Sequence, residues 1–456
     1  NAAYARQASA YFLQADYSCR HPLTARVLET LWQLPARPSE CADAIPFLLD
    51  AEGGASLVRT ISPSRVAAVH LLFAGPSGRS FSRFGHVGLR LLVCAPQRTV
   101  VDERCDEDLF EHMALGFRAG VDELDLSLWK GISGGYPIRL YAVPFMQAYS
   151  EYTTDEFRSL SSLPLKLDTA QRELLVRGLA EVHWAYQNDY RFFSRNCASE
   201  LSWLLQVLSA VSAVQPAWSN ANDVRPDRLY QHALTSPAFA ADVMADLAEA
   251  ERKGFYFPES RPYYQLALDT VQQYLPADVA TDFSAFRTLD ARTRRQQIYE
   301  PALQAADVPG QATLRRRAHA ALVLEAWMER RQRRELLAAV ARYYLDMTKL
   351  LLEKTSYFDD QERALLSRCL EGFRQADGVG RSVSGVPESP VLPVSGCDMR
   401  APAFNSALAK LLQVAPPLEN HQQKLAELQA TVASVNWLLP LSGQLAGNES
   451  GAQGVK

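Results

Sequence analysis

The stretch Asn188-Asp189-Tyr190-Arg191-Phe192-Phe193-Ser194-Arg195-Asn196-Cys197-Ala198-Ser199-Glu200-Leu201 joins an aromatic, strand-like run to a predicted helix that begins at Cys197. Asn196 is a good N-cap residue, because its side chain can accept a hydrogen bond from the free amides of the first turn. The apolar positions that follow have the spacing of one helical face: Leu201, Leu204, Leu205 and Leu208. Cys197 falls on that same face, which we expect to point inward.

Cys197 is therefore a candidate nucleophile. A thiol in the first turn of a helix feels the positive end of the helix dipole, so we expect a lowered pKa that favours the thiolate. The free amides of the same turn could hold an oxyanion. The alternative is a buried structural cysteine, because free cysteines pack as small hydrophobic residues.

The overall composition is that of an ordinary globular protein. The chain has 456 residues, of which 48% are hydrophobic and 21% charged, and this length is enough for two or three domains. The net charge of −4 argues against nucleic-acid binding, which needs a basic face. No apolar run reaches the roughly 18 residues of a membrane span. We expect the chain to be a mature form from which a signal peptide has been removed.

The cysteine count favours an oxidising compartment. Setting Cys197 aside leaves six of the seven cysteines, enough for three disulfides, although seven reduced thiols are the alternative. The local pairs are Cys19 with Cys41 and Cys369 with Cys397. A disulfide between Cys94 and Cys105 conflicts with a tight hairpin at Pro96-Gln97, because such a hairpin would leave the two cysteines roughly 20 Å apart along the strand. A wider loop would remove this conflict.

The pattern of the chain predicts three regions. Residues 1–61 are predicted to form a helical N-terminal cap, 62–235 a catalytic domain, and 236–456 a mainly helical C-terminal region with a Gly-, Ser- and Pro-rich loop at 378–402.

A second candidate catalytic residue lies on the predicted strand Phe84 to Val93. His86 and Arg90 alternate there against an apolar set of residues, so they share the other face of the strand. A cysteine nucleophile needs a base within reach and a group that orients the base. We expect His86 to be the base and to project from the face that the Cys197 helix covers. Asp102, on a predicted next strand, is the candidate orienting residue.

Other chemistries have little support in the sequence. The histidines are dispersed without metal-ligand spacing, and no phosphate-binding glycine motif follows a strand, so we expect no metal and no cofactor. Gly131-Ile132-Ser133-Gly134-Gly135 matches the serine-hydrolase pattern G-x-S-x-G, but a strand-like alternation follows it where a nucleophile elbow needs a helix.

Four segments carry a resemblance to a known family. They are Ser82-x-Phe84-Gly85-His86-x-x-x-Arg90, Trp129-Lys130-Gly131-x-x-Gly134-Gly135-Tyr136, the stretch from Tyr149 to Leu167, and Tyr190-x-Phe192-Phe193-x-x-Asn196-Cys197. Together, over about Ser62 to Leu208, they resemble the N-terminal periplasmic domain of bacterial lipoprotein intramolecular acyltransferases, which are Lnb-like proteins, and their uncharacterised relatives.

The resemblance implies an α+β fold with a circularly permuted papain-like catalytic domain, in which an antiparallel sheet packs on the cysteine-bearing helix. Lecithin retinol acyltransferase-like enzymes and bacterial cell-wall amidases have similar folds. Carried over by position, Cys197 is the nucleophile and His86 the base. The side chains that shape the site or bind substrate would then be Asn196, Ser82, Arg90, Lys130, Tyr136 and Tyr190.

We therefore expect a periplasmic cysteine-dependent hydrolase or acyltransferase that acts on an ester or amide carbonyl. The expected substrate belongs to the cell envelope: a lipid, a lipoprotein or a peptide. Peripheral contact with a membrane is a further expectation, and the sequence leaves the oligomeric state open. The alternatives are a cell-wall amidase or cysteine peptidase that uses the same dyad, and a binding module without catalysis on the same scaffold.

Overall fold

The computed structural model describes residues 2–37, 41–50, 56–77, 83–119, 136–191, 195–212, 225–275, 281–304, 310–353, 357–374, 385–387, 402–414 and 419–443. The chain divides into two compact units. Unit 1 consists of Asn1–Glu259 with Ser356–Phe404, and unit 2 of Ser260–Thr355 with Asn405–Lys456. The division falls later in the chain than the predicted boundary at residue 235.

Within the described residues, all strands belong to unit 1 and join in one sheet. They are β1 (Ile45–Asp50), β2 (Ser56–Ile61), β3 (Val66–Ala74), β4 (His86–Val93), β5 (Met113–Ala119), β6 (Tyr136–Pro144), β7 (Leu160–Pro164), β8 (Asn188–Tyr190) and β9 (Tyr256–Phe257).

Helices precede, separate and follow these strands. They are α1 (Ala2–Leu13), α2 (Tyr17–Arg20), α3 (Pro22–Trp32), α4 (Phe145–Tyr149), α5 (Thr169–Ala185), α6 (Cys197–Ser212), α7 (Pro226–Thr235), α8 (Leu247–Arg252), α9 (Arg261–Gln272), α10 (Phe283–Phe286), α11 (Ala291–Thr293), α12 (Glu300–Gln304), α13 (Gly310–Glu353), α14 (Asp360–Arg374), α15 (Pro402–Val414) and α16 (Glu419–Ser442). Short 3-10 helices cover Pro63–Arg65, Glu103–Glu107 and Ala241–Met244, and π-helices cover Ser150–Asp155 and Arg294–Tyr299.

The strand order of the sheet is β2-β1-β6-β5-β4-β3-β7-β9, and β8 pairs with β6 beside this path. Neighbouring strands are antiparallel except β1 and β6, which run parallel with Leu49 opposite Ala142. The prediction of an antiparallel sheet is therefore wrong in this one pairing, and the sheet is mixed. The candidate histidine, His86, lies on β4, which is flanked by β3 and β5.

Each face of the sheet is covered by a different layer. Helices α5 and α6 cover one face, where Val87, Leu89 and Leu91 pack with Leu201 and Leu204 in the main hydrophobic core. The other face carries a smaller core that packs against α4 and the π-helix. Its members are Leu72, Ala74, Ala114, Val143, Phe145, Ala148, Tyr152 and Leu160.

The predicted helical cap is wrong for residues 45–50 and 56–61. Ile45–Asp50 is a strand whose first five residues are buried, and Ser56–Ile61 pairs with it. A short, continuous apolar run of this kind fits a strand buried on both faces as well as a helix, so periodicity does not separate the two.

The buried His183 of α5 connects strands β1 and β6 through hydrogen bonds. It accepts a hydrogen bond from the backbone N–H of Leu48 (3.0 Å) and donates one to the carbonyl of Leu140 (2.9 Å).

The N-terminal helices of unit 1 are anchored on α5 and by a disulfide. Glu181 of α5 accepts a hydrogen bond from the backbone N–H of Leu23 (2.7 Å) and so caps the start of α3. A disulfide joins Cys19 to Cys41, as predicted. A second joins Cys94 to Cys105, because the connection from β4 to β5 is a wide loop with a 3-10 turn rather than a tight hairpin. The predicted pair of Cys369 and Cys397 lies outside the described side chains.

Unit 2 is built from helices in its described part. The long α13 packs against α9 and α16. Arg294 and Glu325 form a fully buried ion pair at 2.6 Å, and Thr431 of α16 accepts a further hydrogen bond from Arg294 at 3.0 Å. The helical character predicted for residues 236–456 holds for the described residues apart from the two-residue strand β9.

Candidate functional site

Helix α6 begins as the sequence predicts, with Asn196 as its cap. The Asn196 side chain accepts hydrogen bonds from the backbone N–H groups of Ala198 (3.0 Å) and Ser199 (3.3 Å). In return, the Ser199 hydroxyl accepts one from the Asn196 N–H at 2.8 Å. These bonds satisfy free amides of the first turn and fix the residue at which the helix starts. Cys197 is therefore held rigidly at the first helical position.

The thiol of Cys197 is half-buried and is not part of a disulfide. It lies against the backbone N–H of Val87 on β4, and the N–H groups of Ala198 and of Cys197 itself also point to it. Burial raises the pKa of the Cys197 thiol, while these three N–H groups and the charge of Arg158 act in the opposite direction. The expectation of a lowered pKa is therefore wrong, because desolvation outweighs the helix amides.

His86 is the first residue of β4, and a glycine sets its position. Gly85 has φ +88°, a conformation that residues with a Cβ rarely adopt. A Cβ there would lie 2.6 Å from both the Ala74 carbonyl oxygen and the Phe73 ring. The motif Phe84-Gly85-His86 thus encodes a backbone turn that only glycine permits at the entry to the strand.

The imidazole of His86 packs against Tyr152, with ring centroids 6.0 Å apart and the planes 29° apart. Its Nε2 also lies next to Gly116, where an added Cβ would be only 3.3 Å away. Burial lowers the pKa of His86 to about 3, helped by the charges of Arg118 and Arg158. The imidazole is therefore neutral at neutral pH, and a pKa this low makes it a weak base.

His86 and helix α6 lie on opposite sides of the sheet. Val87 faces α6 in the main core, whereas His86 faces Tyr152 and Gly116 in the other layer. The alternation along β4 was predicted correctly, but the expectation that His86 projects from the face covered by α6 is wrong. The Cys197 thiol reaches the backbone of Val87, the residue after His86, at the start of β4, whereas the His86 ring lies on the other face of the sheet.

A small pocket opens on the His86 side of the sheet. Residues of β4 and β5, among them Gly88 and Gly116, form much of its lining, and apolar side chains of β3, β6 and β7 contribute most of the rest. Its lining residues are Leu72, Ala74, His86, Gly88, Leu89, Ala114, Leu115, Gly116, Arg118, Tyr141, Val143, Ala148, Tyr152 and Leu160.

Sequence reasoning missed three residues at this site: Arg118, Tyr152 and Arg158. Arg118 forms an ion pair with Glu151 at 3.5 Å and also bonds to the Tyr152 hydroxyl. Burial raises the pKa of Tyr152, so it keeps its proton. Tyr152 lies in the stretch from Tyr149 to Leu167 that supports the family resemblance, and this was the one available signal for it. Nothing in the sequence pattern marked Arg118 or Arg158.

Arg90 does not border Cys197, contrary to expectation. It is fully buried on the face opposite α6, where its guanidinium donates to Nδ1 of His112 (2.9 Å) and to the carbonyl of Gly254 (2.9 Å). It also lies over the Phe145 ring at 4.1 Å. Burial lowers the pKa of Arg90 to about 9. Arg90 thus joins β4 to the outer layer and plays a structural part.

The prediction of Asp102 as the orienting residue is contradicted. Residues 99–103 form no strand, and Asp102 caps the 3-10 helix Glu103–Glu107 by accepting from the N–H of Arg104 at 3.1 Å. Its carboxylate also pairs with the Arg104 guanidinium at 2.9 Å. The loop that carries Asp102 leaves the Val93 end of β4, roughly 20 Å along the strand from His86.

The structure does not describe all of the remaining predicted site residues. Ser82 and Lys130 fall in ranges that the structure does not describe. Tyr136 and Tyr190 pair with each other across β6 and β8, and their side chains lie outside the described residues. A polar contact missed by the sequence stabilises the first turn of α6, since buried Glu200 accepts a hydrogen bond from the Tyr186 hydroxyl.

The described residues contain neither a metal-binding cluster nor a helix able to span a membrane. No group of three or more His, Cys, Asp or Glu side chains among them could hold a metal ion. In the same part of the chain, no helix combines the length and the apolar character that a membrane crossing requires.

Comparison with known proteins gives one match. No curated protein and no solved structure matches the chain significantly. Residues 55–231 match the family model of the Lnb N-terminal periplasmic domain, which indicates a periplasmic location and a role in lipoprotein processing. The matched range contains both His86 and Cys197, and it extends from just before β2 into α7. The resemblance predicted from the sequence is therefore confirmed as a similarity of residues 55–231 to the Lnb N-terminal periplasmic domain.

Proposed function

We propose that this protein is a periplasmic cysteine-dependent hydrolase or acyltransferase, with Cys197 as nucleophile and His86 as general base. Acyl groups of lipids or lipoproteins are the proposed substrates, in keeping with the family of the domain. The observation that carries the proposal is the position of the free Cys197 thiol, at a capped helix start and against the backbone of the residue after His86.

The proposed reaction has two steps. The Cys197 sulfur attacks the ester or amide carbonyl carbon while His86 takes the thiol proton, and a sulfur–carbon bond forms. The tetrahedral oxyanion collapses to a thioester, the bond from carbon to the leaving oxygen or nitrogen breaks, and His86 returns the proton to the leaving group. Water, or an acceptor hydroxyl or amine, then attacks the thioester and releases Cys197 with its proton restored.

The proposed reaction starts from uncharged Cys197 and His86. With the pKa of Cys197 raised and that of His86 lowered, both groups are neutral at neutral pH, so no thiolate–imidazolium pair is stored before substrate binds. The proton moves as the sulfur attacks. The N–H groups of Val87 and Ala198 lie near the sulfur and are the candidate donors to the oxyanion.

Further parts of the proposal follow from the family resemblance. The fold of the domain would be a circularly permuted papain-like one, and the region after residue 235 would serve as a helical accessory region. A lipid or lipoprotein substrate would bring the domain into peripheral contact with a membrane surface.

A second candidate function is a binding module without catalysis. The placement of the His86 ring on the sheet face opposite α6 favours it, because a base and its nucleophile need hydrogen-bond reach. A cell-wall amidase or cysteine peptidase that uses the same dyad differs from the first proposal only in its substrate.

An activity panel tests these candidates. The protein is assayed against diacylated lipopeptides, phospholipids and muropeptides, alongside Cys197→Ala and His86→Gln. The proposal expects acyl release from lipid substrates, abolished by Cys197→Ala and reduced about 10²- to 10⁴-fold by His86→Gln. Cleavage of muropeptides alone favours the amidase. Turnover that survives Cys197→Ala contradicts the dyad, and tight binding without turnover supports the binding module.

A further inference from the structure

Arg158 is a buried arginine at the edge of the candidate site, with only 3% of its surface exposed. Its Nε donates to the carbonyl of Gly75 (2.5 Å) and its Nη2 to the carbonyl of Ala74 (2.9 Å). Ala74 is the last residue of β3 and lies directly opposite His86 on β4. The guanidinium therefore holds the end of β3 in the position where it pairs with the residue before Val87.

The backbone that presents Arg158 is tightly constrained. The preceding residue, Phe157, has φ 52° and is buried, a conformation that costs free energy in residues with a side chain. The Arg158 N–H bonds to the carbonyl of Tyr152 at 2.9 Å, and the Ser159 carbonyl accepts from the N–H of Gly75 at 2.9 Å. Strain of this kind persists only where the surrounding contacts over-determine it, and here they fix the arginine beside the strand ends.

The charge of Arg158 reaches both members of the proposed dyad. It stabilises the anionic form of Cys197 and disfavours the cationic form of His86. One carboxylate, Glu156, pairs with it at 2.7 Å, and the guanidinium also lies over the Tyr152 ring at 5.1 Å. The site thus contains a buried cation that no sequence motif predicts.

We propose that Arg158 is a positioning residue of this site, one that fixes the end of β3 beside His86 and supplies a buried positive charge to both Cys197 and His86. The inference rests on the proposed function, because that function selects Cys197 and His86 as the reacting residues. It adds Arg158 as a source of the electric field that acts on both. During attack, such a cation stabilises the sulfur as it loses its proton, and it lowers the proton affinity of the imidazole.

Other charged and titratable groups face the same pair and must be considered in any pH experiment. Arg118 of β5 and Tyr152 of the π-helix face His86, and Glu151 pairs with Arg118. Among them, Arg158 is the group whose charge acts on His86 and on Cys197 alike. Changes at Arg158 should therefore affect the thiol as well as the imidazole.

The test is the rate of Cys197 alkylation by iodoacetamide as a function of pH in the full chain. Arg158→Gln removes the charge, so the midpoint of the profile should move to higher pH and the rate at about pH 7.5 should fall at least about threefold. Arg158→Lys keeps the charge and should recover most of that loss. Arg59→Gln is the matched control, because Arg59 is also paired with a carboxylate, Glu111 at 2.5 Å, and does not act on Cys197. It should leave the profile unchanged.

A second variant keeps the inference testable if Arg158→Gln does not fold. Glu156→Gln removes the carboxylate that neutralises Arg158, so the midpoint should move to lower pH, the opposite direction. Unchanged profiles in folded Arg158→Gln or Glu156→Gln overturn the inference, and so does equal slowing by Arg158→Gln and Arg158→Lys. The experiment measures thiol reactivity and not turnover. Activity that survives Cys197→Ala would therefore remove the proposed function and leave the result on Arg158 standing.

Discussion

The thiol of Cys197 lies against the backbone N–H of Val87, so helix α6 begins beside the residue that follows His86 on β4. A helix start and a strand start are thus joined at one point, although about 110 residues separate them in sequence. The Asn196 cap fixes one partner and the positive φ of Gly85 fixes the other.

Thiol counting checks the state of the cysteines. Cys197 is free, while Cys19, Cys41, Cys94 and Cys105 are held in two disulfides. We expect the native protein to titrate as one free thiol under non-reducing conditions, and Cys197→Ala to titrate as none. Two or more thiols in the native protein would contradict the prediction that Cys369 and Cys397 are also oxidised.

The pH dependence of Cys197 alkylation checks the raised pKa. Because burial raises the pKa of the thiol, the alkylation midpoint should lie above the value near 8.5 of a free cysteine, and the rate should be low at mildly acidic pH. A free-cysteine peptide measured in parallel is the reference. Rapid alkylation of Cys197 at about pH 5 would instead indicate a preformed thiolate–imidazolium pair.

Gly85→Ala should strongly destabilise unit 1. The new Cβ would combine a disfavoured φ of +88° with contacts of 2.6 Å to Ala74 and Phe73, so we expect a loss of about 2–4 kcal/mol in the free energy of unfolding. Gly254→Ala is the matched control, since its φ is +71° but nothing lies within 4 Å of the new Cβ. It should cost only about 1 kcal/mol. Urea denaturation measures both, and equal losses would show that the contacts around Gly85 carry no weight.

Acid should destabilise the protein through His112. Burial, with the charge of Arg90, lowers the pKa of His112 to about 3, well below its value near 6.5 in the unfolded chain. The unfolded state therefore binds more protons below about pH 6.5, and stability is lost as the pH falls from there towards 3. At about pH 5 this one residue should account for about 2 kcal/mol. Urea denaturation at several pH values, compared with His112→Gln, measures it, and equal pH slopes in the two proteins would count against it.

Local features of the site could be predicted from the sequence, and features that depend on tertiary packing could not. The Asn196 cap and the start of α6 follow from neighbouring residues, so the prediction succeeded. The alternation of His86 against Val87 is likewise local. Which face α6 would cover depends on packing with distant strands, and the prediction was wrong there.

The sheet shows the same limit of prediction from sequence. A wide loop allows Cys94 and Cys105 to meet, and a buried apolar run at Ile45–Asp50 gave no period that separates strand from helix. Arg158 reaches the carbonyl of Ala74 across more than eighty positions of sequence, and no motif encodes that contact.

The parallel pairing of β1 with β6 sets an order of events during synthesis and export. A chain that emerges N-terminus first can form the β1–β2 hairpin early, but the second edge of β1 has no partner until residues around Ala142 have emerged. Until then the hairpin presents unpaired backbone groups and apolar side chains, which invite association with other chains. We therefore expect refolding from denaturant to be most efficient at low protein concentration.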